Sequence, residues 1–204
     1  MGLSHLETAS KNTGVDVQLT WEPFFLNPNM PAEGEDLMMH LRKKYGDSVV
    51  QRFGGSDNPL SKAGRACSPS ITFKQDRFIY PTNRAHAVME YLKANNARAE
   101  SNMLMRVFFR QYFEEGLNIN SNEVIKAAID EVKPNEPEKV LAAADDKDLV
   151  DLVSTKDAEF KNKMRVSGVP FFIIHRNDGG RATGFSGAQP PDLLGEQLED
   201  AATE

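Results

Sequence analysis

The most apolar run of the chain, Phe171-Phe-Ile-Ile174, opens on a proline, and that feature constrains the fold more than any other. Proline has no N–H to give a sheet ladder, so Pro170 belongs at a first strand residue, on an edge or at a bulge. Only before proline is a cis peptide bond cheap. The stretch Val166-Ser-Gly-Val-Pro-Phe-Phe-Ile-Ile174 therefore has two readings. It is a plain strand start, or Val169-Pro170 shapes a backbone edge that something else touches. Beyond it, Asn177-Asp-Gly-Gly180 is a hairpin turn signal, with Arg181 to Ser186 as the returning strand. Pro190-Pro191 then opens a helix carrying Leu193, Leu194 and Leu198, since proline suits a first helical turn.

At the other end, Leu3, Leu6 and Ala9 recur at helical spacing, and Gly14 sits where a helix C-terminal glycine would. Val15-Asp-Val-Gln-Leu-Thr-Trp21 then alternates apolar and polar residues, which predicts a half-buried strand. Pro23, Pro28 and Pro31 end it in an extended, turn-rich exit. From about Gly34 to about Phe160 the patterns are nearly all helical. Thr82 and Asn83 can cap a helix through Tyr91, and Asn120 to Glu123 resembles a capping start before a helix that stops at Pro134. Leu104, Val107, Phe108 and Tyr112 share one face of a helix ending at Gly116. Residues 53–70, rich in Gly, Ser and Pro, read as a long loop.

A sheet assembled from both chain ends around a helical middle is an α/β architecture. Residues 1–30 and 165–204 would form one domain, with residues 31–164 as a helical insertion. The 204 residues suffice for this. The net charge of −6 argues against non-specific nucleic-acid binding, which needs basic surface. No apolar run approaches the roughly 20 residues that cross a bilayer. The first residues lack a basic start and an apolar stretch, so no secretory signal is expected and the cytoplasm is the default location. Cys67 is the one cysteine, which excludes an intrachain disulfide, a Cys-x-x-Cys pair and a thiolate zinc site. The four histidines are scattered, so no metal is expected.

Five stretches in order resemble the DsbA-like thioredoxin family, most closely its FrnE-type branch. They are WEPFFLNPNMP, YPTNRAHAVMEY, FFRQYFEEGLNI, VSGVPFFII and FSGAQPPDLL. The resemblance implies a thioredoxin-like sheet with a large helical insertion. It also implies disulfide oxidation, reduction or isomerisation, and a cis proline at Pro170 beside an active-site dithiol. Gly168, Val169 and Pro170 would then receive a peptide or protein substrate carrying a thiol or a disulfide, laid on as an added strand. The family seats its dithiol at the N-terminus of the first helix, where orphan N–H groups and the helix dipole favour a thiolate. In this sequence the glycine that opens that helix matches Gly2, so Met1 stands just past the place of the second cysteine. The resemblance therefore implies that the catalytic pair and the first strand are missing. The expected result is a sheet with a gap, a collapsed pairing, or exposed apolar edges prone to association. Buried groups left unpaired would cost about 1–3 kcal/mol each.

Three functions follow from the resemblance: an oxidoreductase whose activity is impaired as written, a redox-inactive peptide-binding module, or a relative of the kappa-class glutathione transferases and 2-hydroxychromene-2-carboxylate isomerases. No cofactor is called for, and glutathione is the one small molecule the resemblance makes possible. Cys67 reads as a small buried or incidental cysteine. His86 reads as a packing or capping residue, Trp21 as core, and Phe24 and Phe25 as filler between sheet and insertion. The acidic runs at Asp145-Asp146 and Glu199-Asp200 read as solvated helix faces.

Overall fold

Two apolar clusters organise the chain, one built by its ends and one by its middle. The computed structural model describes residues 1–53, 55, 57–180 and 182–203. Helix α1 (Gly2–Thr13) buries Leu6 and Ala9, and the last helix, α10 (Pro191–Thr203), buries Leu194 and Leu198 against them. Gly14 ends α1 in the left-handed region at φ 72°, its N–H donating to Ser10 O at 2.9 Å. The expected position for a C-terminal glycine is therefore occupied as such. In α10, Leu193 points outward while Leu194 and Leu198, one turn apart, face the core.

Between the two ends runs the helical middle. A two-residue bridge pairs β1 (Glu35–Asp36) with β2 (Phe78–Ile79). Around it lie α2 (Leu37–Tyr45), α3 (Asp47–Phe53) and α4 (Pro59–Arg65). After them come α5 (Asn83–Ala94), α6 (Arg98–Phe109), α7 (Asn122–Val132), α8 (Pro137–Ala142) and α9 (Lys147–Asn162). Val88, Leu92, Leu104, Phe108, Ile125, Ile129 and Val140 are fully buried where α5, α6, α7 and α8 meet. Each such side chain contributes about 1.5–3 kcal/mol by leaving water.

The chain then returns as the hairpin of β3 (Phe171–Ile174) and β4 (Thr183–Ser186), paired antiparallel with Phe172 opposite Phe185. Their rings stack at 5.2 Å, on the side that packs against α1 and α10. Arg181, expected in the returning strand, lies outside the described residues.

Four expectations change. Residues 53–70 are not all loop: Asn58 accepts Ser61 N–H at 2.8 Å and Pro59 takes the first helical position, which nucleates α4. Gly54 and Ser56 of that stretch lie outside the described residues. Thr82 makes no capping hydrogen bond; Asn120 Oδ1 instead accepts Arg84 N–H at 2.9 Å from a loop distant in sequence. The helix starting at Arg98 widens to a π-helical turn over Arg110–Glu115 before Gly116 ends it.

The fourth is Val15–Trp21. Its burial alternates with a period of two, as expected of a strand, and Val15, Val17 and Leu19 pack on the α1–α10 layer. Yet no hydrogen bond ties the backbone of Asp16–Phe24 to any described residue. Side-chain burial enforces the pleat; the ladder is absent because no described strand lies alongside.

Candidate functional site

Among the described residues β3 pairs along one edge only, with β4, and the Gly168–Pro170 segment ahead of it is partly exposed. Gly187 N–H donates to Pro170 O at 2.8 Å, carrying the β3–β4 contact one residue past the strand. The Val169–Pro170 peptide bond is cis. Val169 is 51% exposed, and a Cβ placed on Gly168 would meet nothing within 4 Å. Pro170 backs onto the start of α1: a Cβ on Gly2 would lie 3.1 Å from Pro170 Cγ and 3.1 Å from Phe172 Cζ. Glycine at the first position of α1 is what lets the helix approach that closely. Thus Gly168, Val169 and Pro170 stand together at the N-terminus of α1, open to solvent on one side.

The same helix turn gathers Cys67, which the sequence reads as a small buried or incidental cysteine and which is buried here. Ser4 Oγ donates to Ser68 O at 3.1 Å and draws residues 67–69 onto α1. His5 Nδ1 lies 2.9 Å from Gln189 O, an acceptor only, so in the neutral ring Nδ1 carries the proton. Nε2 is then a bare lone pair, 3.8 Å from Cys67 Sγ. The thiol also lies 3.4 Å from Ala63 O, within the turn that ends α4. Cys67 is buried. Nothing local in the sequence pairs it with a histidine 62 residues away.

Phe24 and Phe25 pack against α9 and α5, through Asp157, Lys161 and His86. Asp157 is buried and accepts Phe25 N–H at 2.7 Å; Lys161 Nζ bonds Asp157 at 2.8 Å and Phe25 O at 2.6 Å. Lys161 also sits 4.8 Å over the Phe24 ring. Half-buried His86 tilts against Phe25 at 5.8 Å. Burial pushes its imidazole down to about 4, against the pull of the Asp157 carboxylate.

A stability effect with a defined sign follows from that histidine. Above the unfolded value near 6.5 the ring is neutral in both states. As pH falls toward 4, the unfolded chain takes a proton that the folded chain refuses, so stability is lost across that window. The loss reaches up to about 3 kcal/mol by pH 4. Urea midpoints between pH 7 and 4.5 should fall more steeply for the native chain than for His86→Asn; parallel curves would remove the assignment.

Trp21 serves the core as expected: its Nε1 donates to Asn102 Oδ1 at 2.8 Å and its ring meets Phe109 edge-on at 5.7 Å. The acidic run at Asp145-Asp146 does more than face solvent, since Asp145 pairs with Arg84 at 2.7 Å and Asp146 caps α9. Among the described residues, no helix is long and apolar enough to cross a membrane.

Comparison with known proteins agrees with this geometry. A probable DsbA oxidoreductase from Streptomyces coelicolor is similar over all of this chain and 84% of its own, at a TM-score of 0.76 and 25% identity. No curated protein matches the chain. The family model described as the DSBA-like thioredoxin domain matches residues 1–199. With a thioredoxin-like frame, a helical insertion and that match, the chain belongs to the DSBA-like thioredoxin domain family, a family of thiol–disulfide oxidoreductases.

Proposed function

We propose that the Gly168–Val169–Pro170 edge receives an extended peptide or protein segment bearing a thiol or a disulfide, and that this polypeptide does not complete a dithiol cycle unaided. One observation carries the reading: exposed Val169 and unobstructed Gly168 precede an open strand edge braced on α1. A segment laid along such an edge gains main-chain hydrogen bonds, while alternate side chains set specificity. A dithiol cycle needs one thiolate to attack the disulfide and a second to resolve the mixed disulfide. The 204 residues contain Cys67 alone. Glutathione, a short extended thiol peptide, has the chemistry for the same edge. The open edge also supports association with another chain. A free buried thiol suits a reducing compartment, which supports the cytoplasm as the location.

Gly168→Val tests the edge. Its side chain would project into open space, so the unfolding midpoint should hold. Binding of a labelled disulfide-bearing peptide, followed by fluorescence anisotropy, should weaken on the order of tenfold, equivalent to about 1.4 kcal/mol. Unchanged affinity would place the peptide elsewhere.

A further inference from the structure

Charge is unevenly divided along this chain. Residues 37–66 carry six basic and two acidic residues, a net +4. The rest of the chain carries 18 basic and 28 acidic residues, a net −10. The cationic stretch folds as α2, α3 and α4, and α2 buries none of its residues. Leu26, Tyr45 and Met39, in or beside α2, are 67%, 54% and 51% exposed. Leu26, His40, Lys43 and Lys44 line a shallow hollow of about 350 Å³. Glu35, the carboxylate in that hollow, is already held by Lys43 and by His40 Nδ1 at 2.8 Å. Lys44 lies 5.3 Å over the Tyr45 ring and has no carboxylate partner among the described residues. The lobe thus presents apolar side chains and an unspent cation to solvent.

The complementary surface lies on the same chain. α10 exposes Asp192, Leu193, Glu196, Glu199 and Asp200, and residues 190–204 include no basic residue. Leu193, Glu196 and Asp200 fall at i, i+3 and i+7, so one outward stripe carries an apolar side chain followed by two carboxylates. Within one copy the two faces do not neutralise each other: α10 packs on α1 and β3, whereas α2 packs on α3 and β1. We propose that a second copy of this chain docks here. Leu193 of each copy enters the hollow beside Leu26 of the other, and Glu196 and Asp200 meet Lys43 and Lys44. Two copies related by a twofold axis make this contact twice. Charge steers such an encounter and fixes its register, while the apolar anchor adds burial that surface ion pairs alone lack. Nucleic acid fits less well, because the net −10 around the lobe repels phosphates and a phosphate backbone brings no apolar side chain for the hollow. The inference goes beyond the peptide-binding reading, since Gly168, Val169 and Pro170 take no part.

Sedimentation velocity tests it, at protein concentrations from about 10 to about 200 μM and ionic strengths of about 0.05 and about 0.5 M. The native chain should form dimers as its concentration rises. Its dissociation constant should increase at least about tenfold at the higher ionic strength. Lys43→Glu with Lys44→Glu should stay monomeric, and so should Glu196→Lys with Asp200→Lys. Mixed one to one, the two double variants present opposite charges at both contacts and should sediment as a dimer again. That recovery separates a docking contact from damage to the fold. Double variants that still dimerise alone, a mixture that stays monomeric, or dimerisation indifferent to salt would overturn the proposal. So would a native chain that stays monomeric at low ionic strength, which would leave the lobe to an acidic segment of a different protein.

Discussion

Replacing Lys156 with methionine lowers the stability of the fold by about 3–5 kcal/mol, because it strands a buried carboxylate. Glu90 on α5 is 5% exposed, and Lys156 Nζ on α9 lies 2.6 Å from its Oε2. The same ammonium lies 3.4 Å from Glu22, whose other oxygen bonds Lys93. Burial works against the charge on Lys156, yet the Glu90 and Glu22 carboxylates hold its pKa above the usual lysine range. Removing the lysine leaves Glu90 desolvated and unpaired where α5 packs on α9. The double replacement Glu90→Leu with Lys156→Met should recover most of the loss, since the pair as a whole is worth far less than the cost of breaking it. Urea midpoints of the two single variants and the double variant measure this. A single-variant loss below about 1 kcal/mol would mean that the pair behaves as a surface one.

Phe108→Ala should cost about as much, roughly 3–5 kcal/mol, for a different reason. Phe108 is 2% exposed and sits among Val88, Leu92, Leu104, Ile125 and Ile129. Truncation removes the ring's transfer free energy and leaves a cavity that four helices cannot all close upon. The consequence reaches beyond the insertion, because α6 also carries Asn102 and Phe109, which hold Trp21 in place. Phe109→Ala, one residue along and 37% exposed, is the internal control and should lose markedly less in the same urea titration.

What the sequence made legible was local. The hairpin after Pro170, the glycine ending α1 and the proline-led α10 each follow from a few adjacent residues whose backbone preferences agree. The alternation of Val15–Trp21 was legible too, but a ladder is a relation between segments, and no pattern within seven residues reports whether a partner strand is present. The same limit hid α4, where the Asn58 cap and Pro59 outweigh a glycine- and serine-rich surrounding. It also hid the substitution of Asn120 for Thr82 as the group that meets the first turn of α5. The site divides likewise. Gly168, Val169 and Pro170 are contiguous and were readable, whereas His5, Cys67 and Gln189 converge from three distant parts of the chain.

The most direct test of the account is reduction of insulin disulfides by dithiothreitol in the presence of this 204-residue chain. With one buried thiol and no partner sulfur, the chain should leave the rate at the blank value while still binding a disulfide-bearing peptide at the Gly168–Pro170 edge. Catalysed turnover above the blank, proportional to added protein, would contradict it.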